Sequence, residues 1–154
     1  MNPSDHQRFM REALALADIA ASLGEVPVGA LVVRENEVVG RGYNLRETEQ
    51  DPTAHAEVIA LRQAASVLGS WRLERCWMIV TLEPCAMCAG AMVLSRIGGC
   101  VFGCSDPKGG FLGSLANLSD WPGLNHRFPI HGGVLSEDAG EKLKGFFRHL
   151  RDRN

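Results

Sequence analysis

The chain has 154 residues and a formal net charge of −2, a size that allows one domain with a single sizeable core. Hydrophobic residues make up 45% and charged residues 22%, proportions typical of a globular protein and not of a disordered or collagen-like chain. No stretch approaches the ~18 consecutive apolar residues of a membrane span, and the polar N-terminus shows no secretory signal. We therefore expect one cytoplasmic domain over residues 1–154.

The charge balance limits the kinds of binding partner, and the cysteine content limits the roles of the thiols. A general nucleic-acid binder usually has a basic excess, whereas this chain has 16 basic and 18 acidic residues. Any polyanionic partner must therefore meet a local basic patch. Five cysteines and no export signal favour reduced thiols or metal ligands over disulfides. Cys76 and Cys100 lie in apolar runs, which predicts that they belong to the core.

The first third of the chain predicts a helix, a hairpin and a second helix. Ser4 and Gln7 have the spacing of a capping box, and apolar residues follow at helical spacing. Two β-branched runs at residues 26–33 and 38–43 are typical of a hairpin. Residues 51–53, Asp-Pro-Thr, then predict the start of the second helix.

The rest of the chain predicts alternating strands and helices. The predicted elements are a strand at 76–82, a helix at 85–95, a strand at 100–104, a last short strand that ends at 134–135 and a helix at 137–151. Between them, residues 105–128 are rich in Gly, Pro, Asn and Ser and predict a long loop with one helical turn, and such loops are usually functional. This order of elements indicates a mixed sheet with helices on both faces.

Two clusters carry the chemistry: His55 with Glu57, and Cys85 with Cys88. Cysteines three residues apart on a helix share a face, and a helix N-terminus favours the thiolate form. One imidazole and two thiolates are good zinc ligands, and three protein ligands leave a fourth position open for water. Glu57 is the candidate carboxylate for moving protons, since it is not needed as a ligand.

Each cluster alone has other interpretations. A Cys-x-x-Cys pair also fits a redox pair or half of a zinc finger, and a His-x-Glu pair also fits a helix-start histidine beside a solvated glutamate. Residues two apart on an ideal helix point to nearly opposite sides. The spacing alone therefore does not bring His55 and Glu57 to one metal, unless the pair lies at the first turn.

The two clusters together resemble the zinc-dependent cytidine and nucleobase deaminase superfamily. Within that superfamily, the chain resembles the bacterial tRNA-specific adenosine deaminases from about residue 5 to 150. The segments that carry this resemblance are residues 51–57, 81–92, 106–110, 113–115, 125–127 and 146–148.

The resemblance implies a fold and an activity. The implied fold is a three-layer α/β/α cytidine-deaminase-like domain with a mixed five-stranded sheet. His55, Cys85 and Cys88 would hold one zinc ion per chain, and the activated water would attack C6 of adenine. Glu57 would shuttle protons, so that the wobble adenosine of an anticodon loop becomes inosine. A homodimer is also expected, because the RNA groove of the family draws on both subunits.

The resemblance also implies residues that bind the substrate. Backbone groups near Ala56 and Pro84 would orient the water and the amino group, and Asn44 would bind the base. Asp106 and Asn125 would contact nucleotides of the flipped-out loop. Asn44 equally fits a simple turn residue, and Asp106 and Asn125 equally fit loop-capping residues.

Four basic residues are candidate RNA contacts: Lys108, Arg127, Arg148 and Arg151. The alternative for the last two is a solvated helix face. Cys104 departs from the family, where alanine is common, and is either a fourth sulfur near the pocket or a small buried residue.

Two other functions remain open at this point. A deaminase of a free base or nucleoside, such as guanine or cytosine, would not need the 106–114 loop or the basic C-terminal helix. A structural zinc module that binds RNA without turnover needs a fourth ligand, such as Cys76 or Cys104, and gives Glu57 no task.

Overall fold

The structure, a computed structural model, describes residues 1–153, so Asn154 at the end of the expected domain lies outside the described residues. The helices are α1 (Pro3–Ser22), α2 (Arg46–Glu49), α3 (Ala56–Leu68), α4 (Ala86–Leu94) and α5 (Ser136–Arg153). The strands are β1 (Gly29–Arg34), β2 (Glu37–Tyr43), β3 (Cys76–Leu82), β4 (Gly99–Cys104) and β5 (Ile130–His131). A single 3₁₀ turn, Leu118–Asp120, lies in the long loop, as its composition predicts.

The five strands form one mixed sheet in the order β2-β1-β3-β4-β5. Strand β1 pairs antiparallel with β2 and β3, whereas β4 runs parallel to β3 and β5. Helix α4 is the crossover that parallel neighbours require. The carboxyl ends of β3 and β4 therefore meet at one edge of the sheet, where ligands commonly bind in α/β folds.

Helices cover both faces of the sheet. Helices α3 and α4 pack on one face, and α1 and α5 pack on the other. Side chains alternate along a strand, so neighbouring residues of one strand pack against opposite faces. Val32 and Met78 pack in the core cluster beneath α3 and α4, and Leu31 and Ile79 pack in the cluster beneath α1 and α5. The predicted three-layer α/β/α architecture is confirmed. Among residues 1–153, no helix combines the length and the apolar character needed to cross a membrane.

Helix α3 lies directly against the backbone of β2 because two glycines lack a side chain. A Cβ at Gly42 would lie 2.2 Å from the carbonyl oxygen of Ala56, and one at Gly40 would lie 2.3 Å from that of Ala60. Both distances are far below van der Waals contact. This close packing fixes the N-terminal end of α3, and with it His55, relative to the sheet.

The first helix begins two residues earlier than the predicted capping box. Asn2 Oδ1 accepts a hydrogen bond from the Asp5 N–H at 3.0 Å, and Asp5 Oδ2 accepts one from the Asn2 N–H at 3.2 Å. The capping box predicted at Ser4 and Gln7 is therefore wrong. Pro3 takes the first helical position, where a missing N–H costs nothing.

The second predicted helix begins at Ala56 and not at Asp51. The carboxylate of Asp51 accepts hydrogen bonds from the N–H of Thr53 at 2.8 Å and from its hydroxyl at 2.7 Å. These bonds hold residues 51–53 in a tight turn, a conformation that Asp commonly stabilises in place of a helix. The turn delivers His55 to the position just before α3.

The last strand ends before the predicted position. An end at residues 134–135 is wrong, because Gly133 (φ 88°) and Leu135 (φ 52°) have positive φ angles that interrupt an extended run. Strand β5 instead pairs Ile130 with Cys100 and His131 with Val101. Its two residues are too few to show an alternating pattern in the sequence.

Candidate active site

Two helix N-termini bring the predicted metal ligands to one point. His55 directly precedes α3, Cys85 directly precedes α4, and Cys88 lies in the first turn of α4. The Sγ atoms of Cys85 and Cys88 each lie 3.6 Å from Nδ1 of His55. Potential ligand atoms of these three residues all lie within 4.8 Å of one another, the single group of this kind within residues 1–153.

These separations fit a zinc ion. Bonds of about 2.3 Å for Zn–S and about 2.0–2.1 Å for Zn–N, joined at a tetrahedral angle, place sulfur and nitrogen roughly 3.6 Å apart. Both observed sulfur–nitrogen distances are 3.6 Å. Thiolate and imidazole donors suit zinc, and three protein ligands leave one tetrahedral position open, as in catalytic sites. The donor set therefore matches a catalytic zinc site.

Glu57 reaches the same site because His55 lies outside the helix. His55 has extended backbone angles (φ −80°, ψ 151°), whereas Glu57 lies in the first turn of α3. The rule that residues two apart point to opposite sides applies only within a helix. Both side chains line one pocket, so the geometric difficulty in the sequence is resolved by where α3 begins.

The electrostatics of the group favour a thiolate at Cys85. Hydrogen bonding with Cys88 and with the His55 ring lowers the pKa of Cys85 to about 4, and the Cys85 partner raises the pKa of His55. The neighbouring Cys85 and burial raise the pKa of Cys88. Burial raises the pKa of Glu57 to about 7. The N-terminal ends of α3 and α4 add partial positive charge, which supports the thiolate that a metal requires.

The ligand group opens into a pocket of about 150 Å³. One wall comes from the segments before β1 and after β2, and the other from the segments after β3 and β4. Besides His55, Glu57 and Cys85, the lining residues are Val26, Val28, Asn44, Arg46, Ala56, Leu82, Glu83 and Asp106. The pocket thus lies at the edge where the carboxyl ends of β3 and β4 meet.

Asn44 lies in this pocket with loosely held amide groups. Its side chain is 6% exposed. Its Nδ2 donates to the Val26 carbonyl at 3.4 Å, and its Oδ1 accepts from the Arg46 N–H at 3.3 Å. Both distances are longer than the usual 2.9–3.0 Å or so. The amide is therefore only weakly held by its neighbours, and its contact with a base stays a prediction.

Asp106 borders the pocket and also caps its own loop. Its Oδ1 accepts hydrogen bonds from the backbone N–H groups of Lys108 and Gly109, each at 3.1 Å. The loop-capping interpretation of Asp106 is therefore correct for one carboxylate oxygen. The other oxygen has no hydrogen bond to another residue among residues 1–153, so a contact with substrate remains compatible with this arrangement.

The other predicted substrate-binding residues lie in three different environments. Ala56 lines the pocket at the start of α3. Pro84 is buried outside the lining, and its carbonyl accepts a hydrogen bond from the Phe111 N–H at 2.8 Å. Asn125 is exposed and does not line the pocket. Its contact with a substrate therefore stays a prediction.

The predicted RNA contacts are all exposed, but they are not equivalent. Lys108 projects from the loop beside the pocket, and Arg127 forms an ion pair with Asp120. Arg148 and Arg151 belong to α5, which packs on the sheet face opposite α3 and α4. Within residues 1–153 neither of these two arginines forms an ion pair. Their positive charge is therefore available to an external partner.

Sequence reasoning missed three charged residues around the pocket. Arg46 is the one Lys or Arg among the lining residues. Glu83 and Glu25 are buried carboxylates at 2% and 1% exposure, and Glu25 accepts hydrogen bonds from two N–H groups of α2. Glu83 directly follows an apolar strand, and this position could have indicated a buried carboxylate with hydrogen-bond donors nearby, because a buried carboxylate needs them. No comparable feature of the sequence indicates that Arg46 lies at the pocket.

The remaining cysteines do not join the ligand group. Cys76 and Cys100 are buried in the core, as predicted. Cys104 is half-buried, and its thiol faces the carbonyl of Thr81 at 3.7 Å. Within residues 1–153 no fourth protein ligand completes the site. A structural zinc module therefore lacks the ligand that it needs.

Comparisons with known proteins show to which class of enzyme the fold belongs. A model of the MafB19-like deaminase family matches residues 4–151. A solved structure from a study of A-to-I editing by tRNA:A34 deaminases at the wobble position superposes with a TM-score of 0.85 at 38% identity, covering 88% of this chain and 99% of that chain. A guanine deaminase from Nitrosomonas europaea, 24% identical with a TM-score of 0.74 over 89% of this chain and 81% of its own, shows the shared fold alone. The fold is that of a cytidine-deaminase-like enzyme.

Curated relatives then give the group within that class. The tRNA-specific adenosine deaminase of Bacillus subtilis is 50% identical over 145 residues, which cover 94% of this chain and 90% of the relative. That of Haemophilus influenzae is 47% identical over 147 residues, covering 95% and 85%. This chain belongs to the MafB19-like deaminase family and, within it, to the bacterial tRNA-specific adenosine deaminases. The resemblance found in the motifs is confirmed.

Proposed function

We propose that this protein hydrolyses the wobble adenosine of a tRNA anticodon loop to inosine and ammonia. The observation that carries the proposal is the meeting of a His–Cys–Cys group with a buried glutamate in one pocket. Relatives at up to 50% identity named tRNA-specific adenosine deaminases support the choice of substrate. Residues 1–154 would form one deaminase domain, and a tRNA substrate would place it in the cytoplasm.

His55, Cys85 and Cys88 would hold one zinc ion per chain, as the fit of the donor set supports. When bound, zinc lowers the pKa of a coordinated water to roughly 7, so that this water acts as the nucleophile at neutral pH. The N-terminus of α4 helps to keep Cys85 and Cys88 in the thiolate form, because its first N–H groups favour negative charge on the sulfurs.

Glu57 would carry the protons of the reaction. As the oxygen of water bonds to C6 of the base, the Glu57 carboxylate accepts a proton and delivers it to the ring nitrogen N1. It then passes the second proton of the water to the amino group, the C6–N bond breaks, and ammonia leaves. Because Glu57 is only 4% exposed, bulk water does not compete for these protons.

The base would be held by polar groups that have long hydrogen bonds, no helical partner or a spare lone pair. The amide of Asn44 has only long hydrogen bonds, and the first N–H groups of α3, including that of Ala56, have no partner within the helix. The Pro84 carbonyl has a second lone pair beside its bond to Phe111. We assign Asp106 and Asn125 to the flanking nucleotides.

A chain of net charge −2 must bind RNA through local contacts. Arg46 is exposed at the pocket and Lys108 projects from the neighbouring loop, so both lie where phosphates beside an inserted base would pass. Arg148 and Arg151 would serve more distant phosphates. A single-stranded loop offers an already unstacked base, which lowers the cost of placing adenine in the pocket.

A second copy of this chain would cover an apolar groove between α3 and α4. The groove has a volume of about 270 Å³, and Trp71 and Leu94 on its rim are 59% and 70% exposed. Exposed apolar side chains grouped in this way mark interaction sites. Replacing Leu94 by aspartate should convert a dimer to monomers in sedimentation velocity, and a monomeric wild-type protein would contradict the proposed homodimer.

The test of the proposed function compares substrates. Purified protein, loaded with zinc, is incubated with transcribed anticodon stem-loops, free adenosine, cytidine and guanine, and nucleosides are then separated by mass spectrometry. Inosine should form in a stem-loop with adenosine at the wobble position and not in a matched stem-loop with guanosine there. Deamination of a free base in preference to RNA would replace this proposal by the free-base alternative.

A further inference from the structure

The carboxylate of Glu83 is buried and accepts its hydrogen bonds from one loop. It is 2% exposed at the end of β3. Its Oε1 accepts from the Asp106 N–H at 3.0 Å, and its Oε2 accepts from the N–H groups of Leu112 and Ser114, each at 3.0 Å. The Ser114 hydroxyl donates a fourth hydrogen bond, to Oε1. The four donors come from residues 106–114.

The donors to this carboxylate are backbone N–H groups and one hydroxyl. Among residues 1–153, Glu83 forms no ion pair with Lys, Arg or His. A buried carboxylate is costly unless hydrogen bonds satisfy its oxygens, and here the loop backbone supplies them. The carboxylate therefore fixes the loop, and the loop in turn satisfies the carboxylate.

The packing at Gly110 shows how tightly the loop encloses this carboxylate. A Cβ at Gly110 would lie 2.2 Å from Cδ of Glu83 and 2.3 Å from its Oε2. A side chain at this position would therefore have to displace the Glu83 carboxylate from its hydrogen bonds. This second observation is independent of the hydrogen bonds and indicates one defined loop conformation.

The loop held in this way carries Asp106 to the pocket. Asp106 lines the pocket beside the metal-ligand group, and its N–H is one of the four donors to Glu83. Further along, the Phe111 N–H bonds to the carbonyl of Pro84 at 2.8 Å. The loop is thus fastened to residues 83–84, the two residues that precede Cys85.

We propose that Glu83 is a positioning residue that sets the loop 106–114, and through it Asp106, for the nucleotides that flank the reacting base. The proposal rests on the proposed function, since Asp106 has this task only if RNA is the substrate. Glu83 does not take part in the proton transfers, which belong to Glu57. Its loss should therefore weaken substrate binding far more than it slows the chemical step.

The first test measures the loop without any substrate. In Glu83→Gln an amide NH₂ replaces one acceptor oxygen and faces N–H donors, so at least one hydrogen bond to a charged acceptor is lost. We expect trypsin to cleave after Lys108, which is exposed within the loop, about tenfold faster or more in this variant. Cleavage after Arg127 serves as the internal reference and should not change. Glu12→Gln, an exposed glutamate on α1, is the matched control and should behave as the wild type.

The second test separates binding from chemistry in the zinc-loaded enzyme. For the stem-loop substrate, Glu83→Gln should raise KM about tenfold or more while kcat stays within roughly threefold and zinc content is unchanged. Asp106→Ala should show the same pattern. If Glu83 acts through Asp106, the double variant should be little worse than Asp106→Ala alone, because coupled residues are not additive.

The outcomes distinguish this proposal from the proposed function. The positioning role would be overturned if trypsin cleaved Glu83→Gln after Lys108 at the rate of the wild type. It would also be overturned if Glu83→Gln and Asp106→Ala had additive effects on KM. If Glu83→Gln does not fold, Ser114→Ala takes its place, because it removes only the hydroxyl donor to Glu83. Ser114→Ala should then show smaller increases in the cleavage rate and in KM. Unchanged cleavage and KM in that variant would overturn the positioning role as well. A wild-type enzyme that deaminates no RNA refutes the proposed function, whereas the trypsin comparison still reports whether Glu83 holds the loop.

Discussion

Replacing Gly42 by alanine should lower both the thermal stability and the zinc affinity of the protein. A Cβ at Gly42 would lie 2.2 Å from the carbonyl oxygen of Ala56 and 2.9 Å from the nitrogen of Ala60. Helix α3 must then move away from β2 by roughly 1 Å to restore ordinary contact. Because His55 directly precedes α3, this movement displaces its ring from the two sulfurs.

The size of the effect follows from the packing. Overpacking of this kind costs about 1–3 kcal/mol, and each kcal/mol shifts the Tm of a domain of this size by about 2–4 °C. The Tm of the metal-free protein should therefore fall by about 2–12 °C. Calorimetry on metal-free samples is required, since zinc binding to the folded state itself raises Tm. Chelator competition should show zinc binding weakened about tenfold or more, as for other residues that orient ligands.

Gly145→Ala is the matched control. A Cβ at Gly145 meets nothing within 4 Å, and alanine is favoured over glycine inside a helix by about 0.5–1 kcal/mol. The same substitution in α5 should therefore raise Tm by about 1–4 °C and leave zinc affinity unchanged. Wild-type Tm and zinc affinity in Gly42→Ala would refute the reasoning that close packing on β2 places His55.

Three further predictions concern the metal, the proton carrier and the RNA. Metal analysis should find one zinc per chain, and X-ray absorption should show two sulfurs, one nitrogen and one oxygen around it; three or four sulfurs would contradict the ligand set. Glu57→Gln keeps the shape of the side chain but not the proton carrier, so kcat should fall by about 10⁴-fold or more with zinc retained; near-normal turnover would remove Glu57 from that role. Reversing the charges of Arg148 and Arg151 together should weaken stem-loop binding and reduce the slope of log K against log salt by about 1.4; unchanged filter binding across a salt series would remove α5 from the RNA surface.

The parts of the fold that the sequence predicts are those with a strong local pattern. The hairpin, the buried strand β3 and helix α4 follow from β-branched runs and from the Pro-Cys-x-x-Cys segment. The start of α3 and the position of β5 do not, because they depend on one side-chain turn at Asp51 and on pairing with β4. Tertiary contacts decide such boundaries, and no local pattern contains them.

The residues of the candidate site likewise include some that the sequence predicts and some that it does not. His55, Cys85 and Cys88 were predicted from residue chemistry, and the structure places them together. The proximity of Glu57 could not be derived from spacing, since it depends on His55 lying outside the helix. The bonds from Glu83 to residues 106–114 join segments more than twenty residues apart, and one sequence without its fold does not reveal such a contact.

The most direct test of the central claim follows oxygen into the product. A stem-loop transcript with adenosine at the wobble position is incubated with zinc-loaded enzyme in water labelled with heavy oxygen, and its nucleosides are analysed by mass spectrometry. Hydrolysis at C6 predicts inosine that carries one heavy oxygen, formed at the wobble position by the wild type and not by Glu57→Gln. Unaltered adenosine, or inosine formed equally by Glu57→Gln, would contradict the account.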